Sequence, residues 1–326
     1  HPVHHFAADV DVPDVIHWAV TVTNAKKSPE YAENFAILLK SIGKAMHDGT
    51  QPALHLHLIG DTDSLPILQD IVASKNDFKS IAVSVYDLKD ARAHIDPAIV
   101  ENLRAIFGSE KFNDIAFFLP PLLPRILPPN VTHLLVTDTD MLFRSDISKL
   151  WDVFHEFTDT QVIGLAHEMQ PVYRNVFGRY RLNNPNLPEA QNIGMSVSEG
   201  GFPGFNSGVM LMRLDRLRKL SLWKHVLEDE LMKTLATMYE FKGHLGDQDL
   251  YSLLSVPHAE LFYTLPCGWN RQLCTWWRDV GGYKEPIFGY YNDCAGDIHV
   301  AHGNCNTKIP SELNPLRRRR HSGDEL

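Results

Sequence analysis

Asp138-Thr139-Asp140 directly follows the apolar run His133-Leu134-Leu135-Val136. In extended backbone, residues two apart face the same side. Two carboxylates placed this way can share one hard divalent cation and leave positions open for phosphate oxygens. A helix cap or a solvated turn is the plainer alternative. Asp61-Thr62-Asp63 also follows an apolar run, Leu54 to Ile59, but Ser64-Leu65-Pro66 continues at once into a helical pattern, so capping accounts for it. Asp138 and Asp140 instead precede apolar Met141-Leu142-Phe143, with the helix cap delayed to Ser145 or Asp146. That difference favours cation binding at the second pair.

Three other segments carry suitable groups. Gly204-Phe205-Asn206-Ser207-Gly208 leads into Val209-Met210-Leu211-Met212, and its small residues let backbone approach a ligand while Asn206 and Ser207 offer short hydrogen-bonding groups. A simple turn before a strand fits the same residues. Gly246-Asp247-Gln248-Asp249 opens an apolar helix; Asp there is an ordinary cap, yet three polar side chains at a helix mouth also suit sugar hydroxyls. His302-Gly303-Asn304-Cys305-Asn306 ends the globular part, with Lys308 beyond it; imidazole is a transition-metal ligand and lysine a phosphate partner. Trp269, Trp276 and Trp277 lie near Arg271 and Arg278, where the rings can stack on sugars or fill a core. The tract His1, His4 and His5 reads as a disordered end.

The elements that must position these groups follow from hydrophobic periodicity. Strands are expected at Trp18–Thr23, Leu54–Ile59, Ile81–Tyr86, His133–Val136, Val162–Ala166 and Val209–Leu214. Helices are expected after Ser28-Pro29 with Tyr31, Phe35, Leu38, Leu39 and Ile42 inward; around Leu68, Ile71 and Val72; from Asp96-Pro97 to Gly108; over Leu222–Tyr239; and from near Asp247. The βαβα rhythm of the first half implies a largely parallel sheet covered by helices, with the site outside the carboxyl ends of its strands. Arg181 to Gly201 reads as a surface loop, and Arg317–Arg320 as a solvated flexible end.

The composition is that of an ordinary globular protein: 326 residues, 44% hydrophobic and 22% charged. The net charge of −9 argues against a nucleic-acid partner. No run of about 18 apolar residues occurs, so no transmembrane segment is expected in this chain. The absence of an initial Met suggests a processed or trimmed N-terminus. Cys267, Cys274, Cys294 and Cys305 all lie in the last fifth of the chain. Four cysteines allow three pairings; a zinc site competes, but no C-x-x-C pair occurs. The sequon Asn130-Val131-Thr132 and the ending Gly323-Asp324-Glu325-Leu326, close to the K-D-E-L type, add to the expectation of a disulfide-bonded protein of the endoplasmic reticulum lumen.

From about Val15 to Pro310 the chain resembles the retaining glycosyltransferases of family 8, the glycogenin-like group. Glu168-Met169-Gln170-Pro171-Val172-Tyr173-Arg174 and Pro203–Leu211 are similar to its xyloside α-1,3-xylosyltransferase branch. So are Gly243–Asp249, Trp269–Asp279 and His302–Thr307. Those enzymes of the endoplasmic reticulum elongate O-glucose glycans on EGF-like repeats. The resemblance implies a GT-A fold, an α/β architecture with a Rossmann-like mixed sheet flanked by helices. It implies an N-terminal extension over 1–14, a catalytic domain over 15–310 and a basic tail over 311–326.

The resemblance also implies a site. Asp138, Asp140 and His302 would hold Mn²⁺ against the diphosphate of UDP-xylose. Val22, Thr23 and Asn24 would meet the uridine, with Thr139, Gly303 and Lys308 near the diphosphate. Asn206, Ser207, Asp247 and Gln248 would surround the donor sugar, Asp247 and Gln248 being the catalytic pair. Met169, His244, Leu245, Trp269, Trp276 and Trp277 would face the acceptor, an O-glycosylated EGF-like repeat. Double displacement would need a carboxylate nucleophile, and Gln248 in that place implies front-face attack instead. The alternatives are a UDP-glucose donor or an O-glucose acceptor, a UDP-sugar hydrolase, and a non-enzymatic lumenal glycan-binding protein.

Overall fold

The computed structural model describes residues 12–46, 53–74, 81–93, 95–110, 114–228, 230–310 and 313. His1, His4 and His5, the run Arg317–Arg320 and the Gly323–Leu326 ending lie outside them, as do most of the two expected terminal extensions.

Among the described residues ten strands form two sheets. In chain order they are β1 (Ile16–Val22), β2 (Leu54–Gly60), β3 (Ile81–Asp87), β4 (His133–Thr137) and β5 (Met141–Phe143), then β6 (Ile163–His167), β7 (Phe205–Arg213), β8 (Phe262–Leu265), β9 (Arg271–Gln272) and β10 (Val300–His302). The main sheet runs β3-β2-β1-β4-β7-β6-β8, and a small one runs β5-β10-β9. β1 to β4 pair in parallel, as does β6 with β8, whereas β7 is antiparallel to both its neighbours. The sheet is therefore mixed, with one reversed strand in an otherwise parallel array.

Residues from β1, β2, β4 and β7 are buried on both faces, which explains why these strands read as continuous apolar runs. One face packs on the helices Pro97–Phe107, Ser221–Glu228 and Asp247–Leu254. The other packs on Pro29–Ala45 and on Phe143, Trp151 and Phe154. Trp18 is fully buried and donates Nε1–H to Thr137 Oγ1 at 2.9 Å, tying β1 to the last residue of β4. Burying a side chain of this size stabilises by about 2–3 kcal/mol.

Caps fall where short polar groups precede apolar periods. Asp96 accepts from Ala98 N–H, and Asp146 accepts from Ser148 N–H, so Asp146 is the delayed cap after the Asp138 pair. Ser28 precedes its helix without a side-chain cap bond. At Asp61-Thr62-Asp63, Asp61 makes the local bonds: its carboxylate accepts from the N–H of Asp63 and Ser64, from Ser64 Oγ, and from Asn24 N–H.

Two expectations change. The helix expected over Leu222–Tyr239 is two, Ser221–Glu228, which buries Trp223, Val226 and Leu227, and Leu231–Met238, which buries Met232 and Leu235. The stretch from Arg181 to Gly201, expected as a loop, takes in the end of the helix Gly178–Asn183, the helix Pro188–Asn192 and a capping box between Ser196 and Glu199. Proline at the first helical position and the serine-glutamate pair are the local causes.

Candidate active site

β4 ends at Thr137, and the backbone bends through Asp138–Asp140 before entering β5 of the small sheet. The two acidic residues therefore sit in a bend between sheets rather than on a continuing strand. Register then delivers the third ligand. β10 pairs antiparallel with β5 so that His302 lies opposite Met141, next to Asp140. Gly303 N–H donates to the Asp140 carbonyl at 2.8 Å, and Asp138 N–H to the Gly208 carbonyl at 2.9 Å. His302 Nε2 lies 3.6 Å from Asp138 Oδ2 and 3.4 Å from Asp140 Oδ1.

The cluster suits a divalent cation. One ligand atom from each of the three residues falls within 4.8 Å of the others. The far ring nitrogen, Nδ1, is 2.8 Å from Asn270 Oδ1, an acceptor that fixes the proton there and turns Nε2 toward the carboxylates. Burial opposes charge on this imidazole, but Asp140 and Asp138 outweigh it and hold His302 above its ordinary value. Asp140 is held below the usual carboxylate value: burial works against this, and His302 prevails. Gly208 makes room, since a Cβ there would stand 2.4 Å from His302 Cε1.

Behind the cluster a buried amide network continues from Asn270. Asn270 Nδ2 donates to Asn206 Oδ1 at 2.8 Å. Asn206 Nδ2 donates to Gln248 Oε1 and to Glu168 Oε2, both at 3.0 Å. Gln248 Nε2 donates to Glu168 Oε2 at 2.9 Å. Both ends of the Gln248 carboxamide are thus fixed. Ser207 Oγ donates to Asp247 Oδ1 at 3.2 Å. Burial first, and Asp138's charge second, raise the Asp247 carboxyl well above its ordinary value.

Asp247 and Gln248 begin the helix Asp247–Leu254, and Gly246 before them has φ 72°, a left-handed backbone that glycine adopts freely. Neither Asp247 nor Gly246 caps the helix through a side chain. Asp249 takes the structural part instead, accepting from Tyr173 Oη and from the N–H of His244 and Leu245.

Glu168 received no role from the sequence, although it lies in a quoted motif. It follows β6, and Glu168 N–H bonds the Gly204 carbonyl, which sets it beside Asn206. Burial pushes its carboxyl up to about 7, against the hydrogen bonds from Asn206 and Gln248. An acidic residue just past a buried strand, at the carboxyl edge of the sheet, was the available signal. Asn270 was likewise missed; it ends the short turn Cys267–Asn270.

The remaining expected residues divide. Thr23 and Asn24 line a cavity of about 480 Å³ at the strand ends, with Asp61, Asp87 and Arg92. Val22 is buried in the core, so its side chain does not reach that cavity. Thr139 is half-buried between the two aspartates, and Lys308 is exposed on the stretch leaving the site. Met169 is buried, its N–H bonded to Gln272 Oε1 at 2.9 Å. His244 and Leu245 are half-buried in the loop that Asp249 holds. Trp269 is 6% exposed and stacks on His299 at 4.3 Å, so it fills the core and offers no open face for an acceptor. Trp276 is 49% exposed and meets Trp277 edge-on at 5.2 Å.

The cysteines pair as Cys267–Cys294 and Cys274–Cys305, which leaves none for zinc. The first bridge holds the turn that carries Asn270; the second joins β9's continuation to the segment after His302. Asn304 Oδ1 accepts from the N–H of Leu273 and Cys274 across the same junction.

This geometry has known counterparts. Residues 25–287 match Glyco_transf_8, glycosyl transferase family 8. Xyloside xylosyltransferase 1 of Mus musculus is 35% identical over 310 residues, 93% of this chain and 77% of that protein. The crystal structure of the mouse protein, apo form, superposes with a TM-score of 0.82 and 34% identity, covering 91% of this chain and 100% of that one. A galactosyltransferase LgtC structure with donor and acceptor sugar analogues matches at a TM-score of 0.52 and 17% identity over 88% of this chain and 86% of that one, a likeness of fold alone. The fold is GT-A. The chain belongs to glycosyl transferase family 8.

Proposed function

We propose that this chain is a xylosyltransferase that moves xylose from UDP-xylose to a xylose-glucose O-glycan on an EGF-like repeat, forming an α-1,3 linkage, in the endoplasmic reticulum lumen. The observation that carries the reading is the junction at Asn270, which joins the Asp138–Asp140–His302 cluster to the carboxamide of Gln248. A cation site and a sugar site are built as one unit.

Asp138, Asp140 and His302 would hold Mn²⁺, which when bound neutralises the leaving diphosphate. Thr23 and Asn24 bind the nucleoside end at the strand-end cavity, and Lys308 serves the phosphate side. Asn206, Ser207 and Asp247 hold sugar hydroxyls. Gln248, fixed by Asn206 and Glu168, stabilises positive charge developing at the sugar. The carboxylate of Glu168 is committed: Oε2 takes two amide donors and Oε1 accepts from Gln170 N–H. This supports front-face attack, with a departing phosphate oxygen taking the acceptor proton, over a covalent adduct on the enzyme. The exposed Asn130, in a turn, supports the lumenal assignment.

The test is a donor screen with Mn²⁺ and a glycosylated EGF-like repeat, read by mass. The expected product is heavier by one pentose. A hexose gain would replace the donor, and full-rate sugar release without acceptor would mean a hydrolase. Calorimetry showing no Mn²⁺-dependent UDP binding would favour a glycan-binding protein.

A further inference from the structure

A second group of metal-competent side chains lies on the main sheet, and the transfer reaction makes no use of it. β1 and β2 pair in parallel with His17 opposite His55. His57 follows two residues later, so it projects from the same face as His55. One ring nitrogen from each of the three lies within 4.8 Å of the others. His17 Nδ1 and His57 Nε2 are 2.9 Å apart, and the rings of His55 and His57 stack at 4.4 Å. From His17 to Thr23, just past the end of β1 at Val22, the chain spans about 20 Å, which puts this cluster at the opposite end of the sheet from the donor site.

We propose that His17, His55 and His57 form a second cation site, selective for an imidazole-preferring divalent ion such as Zn²⁺. The outer ring nitrogens argue for it. His57 Nδ1 is 3.1 Å from Tyr86 Oη, and His55 Nε2 is 2.8 Å from Ser84 Oγ. Metal-bound imidazoles use this arrangement: the far nitrogen bonds a neighbour, and the near one is aimed at the ion. Three nitrogens and one open position are a tetrahedral Zn²⁺ set, whereas an ion that prefers oxygen has nothing here to select it. All three rings are held below the ordinary histidine value, mainly by burial, so they present lone pairs at neutral pH. On binding, the proton shared by His17 and His57 moves to an outer nitrogen of one ring, and the net charge of the rings is unchanged. His55 is half-buried and gives the ion its route in, while His17 and His57 are buried. The bound ion would clamp β1 to β2.

The test uses the full chain with His1, His4 and His5 replaced by Ala, so that terminal histidines contribute nothing. Zn²⁺ is added with excess Mn²⁺, the protein is desalted, and retained metal is counted by mass spectrometry. One equivalent of Zn²⁺ is expected, also when Asp138→Asn and His302→Gln are introduced. Co²⁺ in place of Zn²⁺ should give the intense visible bands of a tetrahedral nitrogen site. His55→Ala should abolish retention, and Tyr86→Phe should weaken Zn²⁺ affinity by about 10- to 100-fold. Failure of the parent to retain Zn²⁺, or full retention by folded His55→Ala, overturns the proposal.

Discussion

Two clusters at opposite ends of the main sheet bring ionisable side chains together by opposite means. At the carboxyl edge, Asp138, Asp140 and His302 come from a bend between sheets and from the last strand, and they open to the site: the Asp138 side chain is 59% exposed. At the amino edge, His17, His55 and His57 come from adjacent strands in register, and two of the three are buried. The first group mixes oxygen with nitrogen and carries formal negative charge; the second is all nitrogen and neutral. The same backbone thus builds a site suited to an exchangeable hard cation with its anionic substrate, and another suited to a resident, softer one. Position on the sheet separates their uses, because the cavity lined by Thr23, Asn24, Asp61 and Asp87 opens at the carboxyl ends of the strands.

The largest effect separates the two. Asp140→Asn should lower transfer at least about a hundredfold, with the melting temperature nearly unchanged, since a lost ligand removes charge stabilisation at the leaving group. Zn²⁺ retention at the amino edge should not move. Equal loss of both would mean that the clusters are not independent.

The next prediction concerns acid. The folded values of His17 and His57 are lowered to about 4 and about 3, from 6.5. The unfolded chain therefore binds more protons than the folded one between pH 6.5 and those values, and stability must fall as pH drops through that window. The combined loss between pH 7 and pH 4 should be a few kcal/mol. Denaturant melts of the chain and of His57→Gln should show a shallower decline in the variant.

A smaller change sharpens the carboxyl-edge half. Asn270→Ala leaves all three ligands in place but frees the His302 ring, and should weaken cation affinity by about 10- to 100-fold in calorimetric titration. Smallest of all, Glu168→Gln keeps one acceptor oxygen for the amide network. It should reduce kcat by about tenfold with KM little changed, because it loosens Gln248 rather than removing a binding group. A larger drop accompanied by a trapped sugar adduct in the parent enzyme would give Glu168 a direct part in the chemistry.

Much of this arrangement was legible in local pattern. β1, β2 and β4 were visible as apolar runs because both their faces are buried. Asp138 and Asp140 stood out because the helix they might have capped begins later, at Asp146. What stayed hidden depends on contacts between distant segments. Asn270 and His302 are 32 residues apart, and nothing in either neighbourhood announces the bond between them. Glu168 looks like any surface acid until Asn206 and Gln248 close over it. His17 joins His55 only through strand register, a property of the pair. Trp269 was misleading for the reverse reason: a large aromatic suits a sugar face or a core, and the packing of His299 against its ring chose the core.

Among the described residues β10 is the last strand, and His302 is the final residue of that strand. During synthesis every strand of the main sheet, and both aspartates, leave the ribosome well before it. A chain halted before Val300 would carry the residues of all seven main-sheet strands and Gln248, yet lack His302, the Cys274–Cys305 bridge and the pairing of β10 with β5. The order of emergence therefore makes the cation cluster one of the last parts of the described fold to be completed.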